Sequence, residues 1–168
     1  ILFLFVLGFG QITILNDDFD SGSIASWTEG TAGHWTSSTS SPINGTHSLK
    51  HNLSAVAGES YITHGITLTL SSGTVTWRWQ QENGAWDPSG SNKFLYYLYS
   101  DNADLTSTGA GTQNGYAVGM NFVTNDDQIK LYRVTAGAFT EIINAGITYD
   151  VNASTLYGIE VTRTAAGL

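Results

Sequence analysis

Apolar side chains recur at every second position along most of the chain, and this alternation restricts it to a β-rich fold. Val75, Trp77 and Trp79 point to one side of an extended segment, where Trp77 and Trp79 are expected in the core, whereas Arg78 and Gln80 point to the other side. No segment of helical length keeps a 3.6-residue period. Turn signals rich in Gly, Asn and Asp, together with Ala136-Gly137, separate the runs, which leaves room for about ten to twelve short strands. The pattern predicts an all-β protein, an antiparallel β-sandwich.

Composition supports one all-β domain and removes several classes of function. Charged residues are 12 % of the 168 residues, about half of the usual share near 25 %. A length of this size suits a single sandwich. With 6 basic against 14 acidic residues and a net charge of -8, the chain offers no basic surface for nucleic acid or an anionic membrane. Cysteine is absent, which excludes disulfide scaffolds, thiolate zinc sites and Cys nucleophiles.

The first ten residues differ from the rest of the chain. Residues 1–9 read ILFLFVLGF, an apolar run with the length of a secretory h-region and shorter than the about 20 residues that span a bilayer. Small residues at Gly8 and Gly10 predict cleavage after Gly10, so residues 1–10 are interpreted as part of a signal peptide and 11–168 as the domain. A buried first strand is the alternative. We therefore expect a secreted or cell-surface protein, and no later segment is apolar enough to span a membrane.

Four runs carry a resemblance to a known family. They are DDFDSG at 17–22, GTHSL at 45–49, FLYYLY at 94–99 and GIEVTRT at 158–164. Together they resemble concanavalin A-like (laminin G/glucanase-type) jelly-roll modules of secreted or surface proteins of Bacteroidetes-type bacteria. The resemblance implies a jelly-roll sandwich over 17–168. In such modules a further strand usually follows the run at 158–164, so we expect the C-terminal strands of the jelly roll, and further domains of the same polypeptide, to lie beyond Leu168.

Catalysis of the glucanase type needs two carboxyl groups about 5 Å apart, one as nucleophile and one as acid. The glucanases that share this fold place them on one strand, as Glu-x-Asp-x-Glu or Glu-x-Asp-x-x-Glu. Glu59, Glu82, Glu141 and Glu160 have no acidic neighbour within four residues. We therefore expect a non-catalytic module without catalytic residues, and a glycan hydrolase with an unrecognised site remains an alternative.

Two sets of residues invite a metal interpretation. His47 and His51 have the i, i+4 spacing of a helical zinc site, but on a strand they lie roughly 13 Å apart and cannot share one ion. Asp17, Asp18 and Asp20 lack the twelve-residue calcium-loop pattern. Jelly-roll modules often hold a structural calcium near their first strand, and the alternative is a turn in which these carboxylates bind their own backbone. No metal-ligand set and no other cofactor is predicted.

Aromatic and planar polar side chains indicate a carbohydrate site. Trp86 follows a turn signal and has little reason to be core, so it is predicted at the rim of a groove. Arg78 and Gln80 share one strand face, and Tyr97 and Tyr99 share a face of a neighbouring run if that strand is regular. These five residues predict a groove that binds a polysaccharide or a glycoprotein glycan. A structural spacer or adhesion module without a glycan site is the alternative function.

Overall fold

The chain is built from β-strands that pair antiparallel. The computed structural model describes residues 12–53, 58–68, 73–106, 113–149 and 155–164. All secondary-structure elements within these ranges are β-strands, and all six strand pairings are antiparallel. The all-β prediction is therefore confirmed. The strands are β1 (Thr28–Glu29), β2 (Trp35–Ser38), β3 (Ser48–His51), β4 (Ile62–Thr63), β5 (Val75–Glu82), β6 (Leu95–Ser100), β7 (Gly115–Gly119), β8 (Gln128–Thr135), β9 (Ala138–Thr148) and β10 (Leu156–Arg163).

The largest sheet is a four-stranded meander in the order β6-β7-β8-β9. Strands β8 and β9 join through a two-residue turn, in which Ala136 and Gly137 have φ angles of 48° and 77°. Two consecutive positive φ angles define the hairpin turn whose twist matches that of paired strands. The predicted turn at Ala136-Gly137 is therefore confirmed.

Strands β5 and β10 are distant in sequence but form a second, two-stranded sheet that covers the meander. Trp77 and Trp79 of β5 pack against the buried core, and the ring of Trp79 stacks on Tyr96 with centroids 4.1 Å apart. The two facing sheets make the fold sandwich-like, and the core position expected for Trp77 and Trp79 is confirmed. The buried members of this core are Leu98, Val118, Met120, Ile129, Leu131 and Tyr149.

The opposite face of the meander is also buried, and it holds a charged group. The side chain of Lys130 is only 1 % exposed, and its Nζ lies 2.6 Å from Asp126 Oδ2 and 3.2 Å from Glu141 Oε2. Burial disfavours the ammonium, but the hydrogen bonds to the two carboxylates outweigh it and raise the pKa of Lys130. On the same face, Tyr132 has no exposed surface. Lys130 thus ties the β7–β8 connection to β9.

Two short strand pairs, β1 with β4 and β2 with β3, form outside the two main sheets. Asp20 holds this part together, because its Oδ1 accepts hydrogen bonds from the backbone N–H groups of Thr46 and His47. These contacts lower the pKa of Asp20. They also join the DDFDSG run to the GTHSL run. No helix in the described part of the chain is long and apolar enough to cross a membrane.

Candidate functional site

Arg78 and Gln80 lie together on the outer face of the β5–β10 sheet, as the alternation predicts. They line an open groove with Gly158 and Glu160, which stand opposite Gln80 and Arg78 on β10. Arg78 Nε donates a hydrogen bond of 2.6 Å to Glu160 Oε2, so its charge is already paired. The ring of Trp79 points to the inner side of the sheet. This outer groove therefore offers hydrogen-bonding groups but no ring of Trp79 for stacking.

A β-bulge separates Tyr97 from Tyr99. Tyr97 pairs with Ala117, and Tyr99 pairs with the adjacent residue Tyr116, so the register shifts at Leu98. Neighbouring residues on β7 point to opposite faces of the sheet, and cross-strand partners share a face. Tyr97 and Tyr99 thus lie on opposite faces. The expectation that they share one face is wrong, because the bulge adds a residue between them.

Trp86 packs against the core instead of standing at a groove rim. Its ring centroid lies 5.7 Å from that of Tyr149, which is 3 % exposed. The side chain of Asn83 fixes the loop, since it donates to the Trp86 carbonyl and accepts from the Trp86 N–H. The ring therefore closes one end of the core. The five residues predicted as one groove occupy separate places, with Arg78 and Gln80 as the pair that stays together.

A second groove, the tyrosine–arginine groove, lies at one end of the meander. Tyr99, Tyr116, Arg133 and Thr140 form a continuous row across four strands, because each is the cross-strand partner of the next. Tyr99 is 37 % exposed, Tyr116 is half-buried against the core and Arg133 is exposed. With strands about 4.8 Å apart, the row from Tyr99 to Arg133 spans roughly 10 Å. The groove lining is Tyr99, Asp101, Asn114, Gly115, Tyr116, Arg133, Val134 and Thr135.

Hydrogen bonds fix the floor of the tyrosine–arginine groove. Asp101 Oδ1 accepts from the Asn114 N–H at 2.7 Å, and Asp101 Oδ2 accepts from Asn114 Nδ2 at 2.9 Å. These contacts lower the pKa of Asp101. A Cβ on Gly115 would lie 2.1 Å from the Tyr99 carbonyl oxygen, so only glycine allows β6 and β7 to approach so closely here. The groove is built before any ligand binds.

Arg133 is a cation without a carboxylate partner among the described residues. The ion pairs in that part of the chain are those of Arg78 with Glu160 and of Lys130 with Asp126 and Glu141. Sequence reasoning did not single out Arg133 or Tyr116. The sequence did contain a signal for Arg133, because strand alternation places its charge on the same face as Ile129 and Leu131.

The acidic residues near the chain start accept hydrogen bonds from the backbone of their own turn. Asp17 Oδ1 accepts from the Phe19 N–H and Asp18 Oδ1 accepts from the Asp20 N–H. These are the turn contacts of the alternative interpretation. Asp17 Oδ2 also accepts from Trp27 Nε1 at 2.7 Å. Among the residues that the structure describes, no three His, Asp or Glu side chains are grouped as metal ligands.

On the face of the meander that holds Lys130, two carboxylates share one cation. Asp126 and Glu141 both contact the ammonium of Lys130. The hydrogen bond from Lys130 lowers the pKa of Asp126, whereas the general acid of a glycosidase needs a raised pKa.

Comparison with protein-family models, curated proteins and solved structures finds no match to this chain.

Proposed function

We propose that this chain is a non-catalytic, glycan-binding module, of the jelly-roll type, in a larger secreted or cell-surface protein. The observation that carries the proposal is the row formed by exposed Tyr99, half-buried Tyr116 and exposed Arg133 in one groove. Carbohydrate rings stack their apolar face on aromatic side chains, and their hydroxyls bind planar polar groups. The roughly 10 Å from Tyr99 to Arg133 suits two linked sugar rings. The tyrosine–arginine groove is thus the proposed site.

The geometry of the groove supports binding over catalysis. It contains one carboxylate, that of Asp101, and both of its oxygens are engaged by Asn114. A retaining or inverting glycosidase needs two carboxyl groups across the scissile bond. The groove is shallow and buries little ligand area, and hydroxyls exchange water for protein at little net gain. We therefore expect a weak dissociation constant for one short glycan, on the order of micromolar to millimolar, with avidity from repeated modules.

The test is a glycan array followed by titration calorimetry with a binding oligosaccharide. Tyr99→Ala should weaken binding roughly fivefold to tenfold, because stacking on one aromatic ring contributes about 1 kcal/mol. Tyr97→Ala is the matched control, since it removes the same ring from the same strand but on the other face of the sheet. It should leave affinity unchanged. Circular dichroism melts of both variants confirm that they remain folded.

Two outcomes would change the assignment. If the folded protein binds no glycan on the array, the proposal fails and the structural spacer or adhesion module remains. If Tyr99→Ala binds as tightly as the original protein while Gln80→Ala loses affinity, the glycan lies in the outer groove of β5 and β10. In that case the predicted Arg78 and Gln80 pair, and not the tyrosine–arginine row, forms the site.

A further inference from the structure

We infer that the tyrosine–arginine groove selects a sugar that bears a carboxylate, a uronic acid residue at the end of an otherwise neutral glycan. This inference rests on the proposed glycan binding and adds the ligand class. It assigns stacking to Tyr99 and Tyr116, and recognition of the sugar carboxylate to the guanidinium of Arg133.

The first argument is the state of the cations in the described part of the chain. Arg78 is paired with Glu160, and Lys130 is buried between two carboxylates. Lys93 donates to a backbone carbonyl and lies over the Phe122 ring, 4.4 Å from its centroid. Lys50, Arg133 and Arg163 have no carboxylate partner within those residues, and of these three it is Arg133 that is exposed in the tyrosine–arginine groove. The chain has 14 acidic residues, yet none of those described pairs with the Arg133 guanidinium beside the two tyrosines. This guanidinium is therefore available to bind an anionic ligand.

The second argument is geometric. A guanidinium presents its N–H groups in a planar fork that matches the two oxygens of a carboxylate. Arg133 stands next to Tyr116 in the cross-strand row. A hexuronate stacked on the tyrosine ring could therefore direct its C6 carboxylate toward the guanidinium. The Asp101 carboxylate in the same groove is held by Asn114 and does not pair with Arg133.

The net charge limits the ligand to few charges. A chain of charge -8 repels a polyanion over many of its residues at once. A single carboxylate beside Arg133 is attracted locally, because charges beyond the Debye length of about 8 Å are largely screened at physiological salt. Polyuronates are thus expected to bind less well than a neutral glycan capped by one uronate.

The experiment compares two probes that differ at one carbon. They are a β-glucuronide and the corresponding β-glucoside of the same neutral oligosaccharide, titrated against the full chain. We expect the glucuronide to bind about fivefold more tightly at 0.1 M salt, as an exposed ion pair contributes up to about that factor. The preference should shrink at 0.5 M salt. Arg133→Gln should abolish the preference, so that the glucuronide and the glucoside bind this variant equally tightly.

The control is Lys50→Gln, which removes an exposed cation from β3, on a different sheet. It should keep the preference for the glucuronide. Equal binding of both probes, a preference that survives in Arg133→Gln, or tighter binding of a 6-sulfated glucoside would overturn the inference. If the glucoside binds through Tyr99 without any preference for the glucuronide, the inference fails and the glycan-binding function stands. If neither probe nor any array glycan binds, both fail.

Discussion

Trp86→Ala tests whether this ring belongs to the core or to a binding surface. A buried tryptophan removes about 150–250 Å² from water. Because Trp86 is half-buried, about half of this area is lost in the variant, which at roughly 25 cal/mol per Å² corresponds to about 2–3 kcal/mol. This estimate lies below the roughly 3–5 kcal/mol for a fully buried ring. The Asn83 hydrogen bonds go to the Trp86 backbone and survive the substitution.

The assay is urea unfolding followed by far-ultraviolet circular dichroism, which does not depend on the tryptophan that is removed. With a slope of roughly 2 kcal/mol per molar urea for a chain of this size, the midpoint should fall by about 1 M. Tyr99→Ala is the control, because its ring is 37 % exposed and lies outside the core. Its midpoint should shift by less than about 0.5 M. An unchanged midpoint for Trp86→Ala, together with lost glycan binding, would refute the core assignment and restore Trp86 as a rim residue.

Two further predictions concern alkaline pH and a turn. Burial raises the pKa of Tyr149 to about 12, so the unfolded chain, with a pKa near 10, loses this proton first. The free energy of unfolding should stay constant to about pH 10 and then decrease by roughly 2 kcal/mol up to pH 12. The measurement is the urea midpoint as a function of pH for the original protein and for Tyr149→Phe. A decrease that is equally steep in both proteins would contradict this prediction. Gly45 has a φ of 65°, and a Cβ there would lie 2.2 Å from Asp20 Oδ2. Gly45→Ala should therefore lower the melting temperature more than Gly33→Ala does, because Gly33 also has a positive φ, of 83°, but no atom lies within 4 Å of an added Cβ. If both variants lower the melting temperature equally, the contact with Asp20 has no effect on stability.

Alternation along the chain was sufficient to predict the all-β class of fold and the inward face of β5. Period-two alternation is a local property, because successive side chains of a strand point to opposite faces whatever the strand pairs with. For this reason Trp77 and Trp79 could be assigned inward and Arg78 and Gln80 outward before any pairing was known. The turn at Ala136-Gly137 was equally readable, since its positive φ angles depend on two residues.

The candidate site, in contrast, depends on how the strands pair. The bulge at Leu98 appears only when β6 is paired with β7, and it sends Tyr97 and Tyr99 to opposite faces. The row that joins Tyr99 to Arg133 depends on the registers of two pairings, and a shift of one residue in either would dissolve it. The sequence distinguishes the two faces of each strand, but only the register between strands determines which side chains become neighbours.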